Sequence, residues 1–183
     1  MSNALGFALF GTRAGTCAIA WGTRGIVGVQ LPEADPADTR ARMAARFPGC
    51  GEDAPPRAVS DAAARIAALL GGERDDLADI DLDWREVSDF QRRVYEATRR
   101  IPPGQTRTYG ELAAELGDKT LARAVGQALG HNPFAPIVPC HRVLAAGGQP
   151  GGFSAHGGAM AKVRMLGVEG ARTGISGSLF DER

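Results

Sequence analysis

Residues 108–130 read TYGELAAELGDKTLARAVGQALG, and the spacing within this stretch decides the fold of the second half of the chain. Thr108 and Glu111 stand three apart, the separation of a capping box, so a short helix is predicted from Tyr109 to Gly117. Gly117 supplies the left-handed residue that ends it, and Asp118 is placed to cap a second helix, roughly Lys119 to Leu129, with Gly130 just past its end. Two short helices joined at a glycine have the form of a helix-turn-helix. The same pattern fits any helical hairpin, so alone it leaves nucleic-acid binding open.

Upstream, Ser88-Asp89-Phe90-Gln91 is another capping box and opens a helix that runs to Arg100. Ile101-Pro102-Pro103-Gly104 stops it. Downstream, residues 146–158 are rich in glycine and precede a last helix over about Ala159 to Leu166. The first half reads differently. Phe7 to Phe10, Thr16 to Trp21 and Gly25 to Leu31 are apolar runs parted by Gly-containing connections, which predicts a strand meander. Asp35-Pro36 marks a helix start, with an end near Pro48-Gly49. A second helix is expected over Ser60 to Leu70, before Gly71-Gly72. Residues 73–84 are acidic and lack a pattern, and they read as a connection. The fold class is therefore α+β: a small sheet-plus-helix domain over residues 1–84, then a mainly helical domain over residues 85–183.

The 183 residues suffice for a sizeable core. No apolar run approaches the about 18 residues of a membrane span, and the N-terminus has no basic export signal. With three widely spaced cysteines (Cys17, Cys50 and Cys140) and no Cys/His cluster at zinc-ligand spacing, the expectation is a cytoplasmic protein with free thiols. Net charge is zero but uneven. Residues 1–84 carry 8 Arg against 12 Asp and Glu, and residues 85–183 carry 13 Lys and Arg against 9 Asp and Glu. A basic second half suits a polyanion such as DNA, and it is equally what chance asymmetry gives.

Cys140 lies in Ile137-Val138-Pro139-Cys140-His141-Arg142-Val143-Leu144. A thiol attacks as thiolate, and an ordinary value near ~8.5 leaves little of it at neutral pH. His141 can take the proton and Arg142 can favour the anion. A buried cysteine beside an incidental histidine fits as well. In an extended strand the two side chains would point to opposite faces, so cooperation requires a bend or a bridging water. Pro139 restricts the backbone before it in a way that suits a bend.

Together these residues resemble the O6-alkylguanine-DNA alkyltransferases. The resemblance rests on Phe90-Gln91, Ile101-Pro102-Pro103-Gly104, Thr108-Tyr109, Ala122 to Gly126, Gly130-His131-Asn132-Pro133, Pro139-Cys140-His141-Arg142-Val143, Gly152-Phe153-Ser154, Lys162 and Glu169-Gly170, in order over about residues 88–170. It implies a ribonuclease-H-like first domain and a DNA-repair role for a monomer acting on double-stranded DNA that contains O6-alkylguanine. The protein would bind the minor groove, flip the damaged base into a pocket and move the alkyl group irreversibly to Cys140.

By the same resemblance, His141 acts as base through a water and Glu169 orients it. Asn132 ties the active-site turn to the helices, Tyr109 contacts the flipped base, and Arg123 fills the gap in the duplex. Ala124 and Gly126 permit close approach to the groove. Arg142, Val143, Phe153 and Ser154 complete the substrate- and DNA-binding set. Two departures fall in the pocket lid: Phe153 stands where the family often has tyrosine, and Ser154 to Gly158 is longer than the shortest family loops, with Ala155 for a frequent glycine. Other readings are an alkyl-lesion-binding protein without transfer, or a helix-turn-helix regulator.

Overall fold

The computed structural model describes residues 3–171. Strands β1 (Gly6–Thr12), β2 (Gly15–Gly22) and β3 (Gly25–Gln30) form an antiparallel meander in the order β1-β2-β3. Both hairpins are tight, with Thr12 opposite Gly15 and Gly22 opposite Gly25. Gly25 has φ +130°, and a Cβ there would lie 2.4 Å from the Asp81 carbonyl oxygen, so only glycine fits.

Helix α1 (Pro36–Arg46) starts at Asp35, whose side chain accepts from the Asp38 amide. Helix α2 (Arg57–Leu70) begins after Pro56, one turn ahead of the expected Ser60. The two helices cover opposite faces of the sheet. Cys17, Ile19 and Trp21 pack in one cluster with Val59 and Ile66 of α2, while Ala18 and Ala20 pack with Met43 of α1. This is the side-chain alternation of a strand, and burial of both faces makes residues 17–21 continuously apolar.

Residues 73–84 are more ordered than a pattern-free connection suggests. Leu77, Ile80 and Leu82 are buried, and Leu82 forms a parallel bridge with Ile26. The Arg99 guanidinium donates to the carbonyls of Leu77, Ala78 and Ile80 and fixes the segment against α3.

The second half holds α3 (Asp89–Arg99), α4 (Tyr109–Glu115), α5 (Ala122–Gly130) and α6 (Gly158–Val168). A short parallel pair joins β4 (Arg107–Thr108) to β5 (Val143–Leu144). Both capping boxes form, Ser88 with Gln91 and Thr108 with Glu111. The helix expected over Lys119 to Leu129 is divided. Asp118 accepts from both the Thr120 amide and hydroxyl, which closes a 3₁₀ turn over Lys119–Leu121 before α5 begins. Gly130 is the last residue of α5 rather than the residue beyond it, and His131 caps the helix.

One core runs through both halves, with Ile19, Ile66, Leu77, Tyr95, Leu112 and Val125 in a single cluster. At the junction the Pro133 carbonyl accepts from the Val29 amide at 2.8 Å and from Arg46 at 3.3 Å. The first half thus grips the segment just before the cysteine turn. No helix among the described residues is long and apolar enough to cross a membrane.

Candidate active site

Pro139 sets the geometry of the cysteine turn. Its φ of −80° and ψ of 65° are those of an inverse γ-turn, closed by the Cys140 amide donating to Val138 O at 2.8 Å. A 3₁₀ turn over Cys140–Arg142 follows, with the Arg142 amide donating to Pro139 O. The chain therefore bends at the cysteine, and the opposite-face problem of an extended strand does not arise.

Asn132 brackets this turn. Its Oδ1 accepts from the Phe134 amide at 2.9 Å and its Nδ2 donates to Val138 O at 2.8 Å. It also bears on the Cys140 sulfur. Burial pushes that thiol above its ordinary value, while Asn132, the Lys162 cation and the local amides pull it back. Substituting Asn132 by alanine leaves the Phe134 amide without its partner and removes one of the two donors to Val138 O, and should cost about 1–3 kcal/mol of stability, read as a lower denaturant midpoint at unchanged slope.

Behind the thiol lies a buried cluster. The ring of His141 is 1% exposed, and its Nε2 sits 2.8 Å from Glu169 Oε1. Burial holds His141 below the ordinary imidazole value, against the pull of Glu169. Burial also pushes the Glu169 carboxyl up, but hydrogen bonds from His141 and Arg142 outweigh it and hold the group at about 2. An ionised Glu169 beside a neutral ring places the proton on Nε2, which donates to the carboxylate. Nδ1 is then the basic atom, and it is buried with no protein partner among the described residues.

Arg142 belongs to this cluster and not to a DNA-facing surface. It donates from Nε and Nη2 to the Glu169 carboxylate and from Nη1 to Ile101 O at 2.7 Å, with 1% of the residue exposed. Expecting it to touch DNA is corrected by that burial, and expecting it to supply the cation for the thiolate is corrected by the commitment of its donors to Glu169 and Ile101. Val143 is likewise wholly buried, so its side chain meets no ligand.

The cation for the thiolate is Lys162, which the sequence showed only as one matching position. It lies on α6 in line with the buried Leu166 and is itself buried. Its Nζ donates to Val143 O at 2.6 Å and lies 5.6 Å from the centre of the Tyr109 ring. Burial lowers Lys162 to about 8, with Cys140 opposing. A lysine spaced four residues from a core leucine was the available signal.

Cys140 opens onto a cavity of about 360 Å³. Asn132, Phe153, Ser154 and Ala155 line it from the second half, and Leu31, Arg42 and Arg46 line it from the first. The contribution of the first half had no signal in the sequence. Tyr109 is half-buried at the start of α4. Its ring packs across the space left by Gly126 of α5, where a Cβ would sit 3.8 Å away. Burial raises its hydroxyl, and Cys140 adds to the shift. Arg123 is exposed on the first turn of α5, and Ala124 beside it is half-buried. Cys17 is no rival nucleophile, because burial pushes its thiol up to about 12. Among the described residues no group of three or more His, Cys, Asp and Glu could hold a metal ion.

The chain is similar to known proteins over most of its length. The family profile described as "6-O-methylguanine DNA methyltransferase, DNA binding domain" matches residues 89–171. A methylated-DNA–protein-cysteine methyltransferase of Mycolicibacterium paratuberculosis is 46% identical over 126 residues, 69% of this chain and 74% of that protein. A protein of Thermus thermophilus named as a DNA base-flipping protein is 43% identical over 106 residues, 58% of this chain and 69% of its own length. The crystal structure of Mycobacterium tuberculosis OGT in complex with DNA superposes with a TM-score of 0.70 at 31% identity, covering 92% of this chain and 96% of that one. A shared fold over nearly the whole length, with 46% identity over 126 residues to a named member, means that the chain belongs to the methylated-DNA–protein-cysteine methyltransferase family.

Proposed function

We propose that this protein repairs double-stranded DNA by moving an alkyl group from the O6 atom of guanine irreversibly to Cys140. The observation that carries the reading is a single thiol at the wall of a cavity, with a buried His141–Glu169 pair behind it and a lysine cation beside it. His141 Nδ1 takes the thiol proton through a bridging water, and Glu169 holds the ring and stabilises the charge it acquires. The sulfur attacks the alkyl carbon. The S–C bond forms, the C–O6 bond breaks, and its electron pair stays on guanine, which takes up a proton. Tyr109 is the nearby hydroxyl that can help deliver that proton. The thioether has no route back, so each molecule acts once, without metal or organic cofactor.

The target base must leave the duplex to reach the cavity, at a cost of a few kcal/mol. In this reading α4 and α5 enter the minor groove, Ala124 and Gly126 allow the approach, and Arg123 fills the vacated stack. Phe153 and Ser154 wall the base pocket. The protein works as a cytoplasmic monomer built of two units, residues 1–84 with a ribonuclease-H-like sheet and residues 85–183 with the reactive centre. Residues 172–183 of the second unit lie outside the described residues. The likeness to a DNA base-flipping protein favours a second reading, lesion binding without transfer. Cys140 in the cavity wall weighs against it.

A duplex carrying O6-methylguanine tests the reading. Nucleoside analysis should show guanine restored in a yield equal to the protein added, with no turnover. Tight lesion binding with the methyl group left on guanine would establish the second reading instead. Arg123→Ala should slow transfer from duplex by about tenfold, since flipping loses its plug. Reaction with free O6-benzylguanine, which needs no flipping, should be unaffected, and the two rates are read by the same mass assay.

A further inference from the structure

Glu33 leaves β3 through Leu31-Pro32 and does not extend into solvent as a loop glutamate ordinarily does. Its amide donates to the Thr39 hydroxyl at 3.0 Å, and Thr39 is fully buried, so the backbone position is fixed. Its side chain is only 11% exposed. Oε1 accepts from Gln30 Nε2 at 2.9 Å and lies 3.3 Å from Arg42 Nε. Oε2 faces the other way and lies 3.6 Å from Nδ1 of His156, an ion pair whenever the imidazole carries its proton. The nearby Arg46 is turned away, onto the carbonyls of Val29 and Pro133. Glu33 therefore joins the first half of the chain to the loop that follows the cysteine turn.

That loop walls the Cys140 cavity. Phe153, Ser154 and Ala155 line it, and His156 is the next residue. The other end of the lining stretch is held by Lys162, whose Nζ lies 3.5 Å from Gly152 O. Phe153 and Ala155 pack on the core, and polar contacts hold the lining stretch at an anchor on α6 and at the Glu33 carboxylate. A substituent on O6 larger than methyl needs more room at the wall, and the wall can yield only if one anchor lets go. Lys162 is itself buried and held by Val143 O, with its contact to Gly152 part-buried; the Glu33–His156 contact is half-exposed and is an ion pair only when His156 is protonated, and so yields first.

We propose that Glu33 is a specificity-determining residue: by tethering His156 to the first half of the chain it sets the largest O6-alkyl group that Cys140 receives. The proposal rests on the alkyl-transfer reading above. It predicts that loosening the tether favours bulky substituents over methyl, because the open wall becomes more populated.

The test compares rates of transfer from duplexes carrying O6-methylguanine and O6-benzylguanine to wild type, Glu33→Gln, His156→Ala and the double variant. Each single variant should raise the benzyl-to-methyl ratio by about threefold, and the double variant no further, as coupled partners require. Amide exchange across residues 150–157 should quicken in both single variants, with or without substrate. A ratio unchanged in either single variant, or a multiplied effect in the double variant, overturns the tether. A rise with Glu33→Gln alone also overturns it, because the effect would then run through Arg42 or Gln30. If wild type takes up no methyl group while exchange still quickens in both variants, the alkyl-transfer reading has failed and the tether has not. Unchanged exchange with normal methyl uptake is the reverse.

Discussion

Arg142→Met should lower folding stability by about 3–5 kcal/mol, the usual cost of removing one partner from a buried ion pair. The guanidinium gives three hydrogen bonds to Glu169 and one to Ile101 O, in a residue only 1% exposed. A domain of this size is stable by only about 5–15 kcal/mol, so much of the margin goes. Urea unfolding measures the loss. The damage should not stop at stability, because Glu169 also orients His141.

The acid limb of the stability curve carries the same signature. Glu169 has a folded value of about 2 against an unfolded value near ~4.3. A depressed carboxyl contributes stability that is present in full above the unfolded value and is lost as pH falls toward the folded one. Wild type should therefore lose stability between about pH 4.5 and pH 2. Glu169→Gln should flatten that limb while lowering stability at neutral pH, because the charge of Arg142 is left buried and unpaired.

Cys140→Ala should abolish methyl uptake entirely, the largest effect expected of any single change. Neither remaining cysteine can substitute. Cys17 is sealed in the core with its thiol pushed up to about 12, and Cys50 lies outside the cavity. The variant should still bind the lesion duplex, since Arg123 and the paired helices are untouched. Lesion-duplex binding by gel shift, alongside the absence of methyl uptake, separates lost chemistry from lost folding.

Local chemistry was legible in the sequence, and contact between distant segments was not, except where the family resemblance supplied it, as for His141 with Glu169. Ser88 with Gln91 and Thr108 with Glu111 are three apart, so their capping boxes could be placed from spacing alone. The strand meander followed from apolar runs cut by glycine. The single long helix after Asp118 failed because capping spacing does not reveal that both Thr120 groups bind the aspartate and tighten the first turn. Arg142 misled for a related reason. An arginine next to a reactive cysteine looks available to a ligand, and only the fold brings Glu169, 27 residues away, to enclose it. Lys162 against Val143 and Arg46 against Pro133 are further cases, the latter pair 87 residues apart. The cavity wall contributed by the first half depends on such contacts, so motif reading confined to residues 88–170 left it out.

The central claim is that Cys140 is the acceptor, and peptide mass analysis after incubation with an O6-methylguanine duplex tests it most directly. One methyl group per protein molecule is expected, found on the peptide containing Cys140 and stable to thiol reductant. A protein whose mass is unchanged while the lesion stays bound, or whose methyl group maps to Cys17, Cys50 or any other residue, would contradict it.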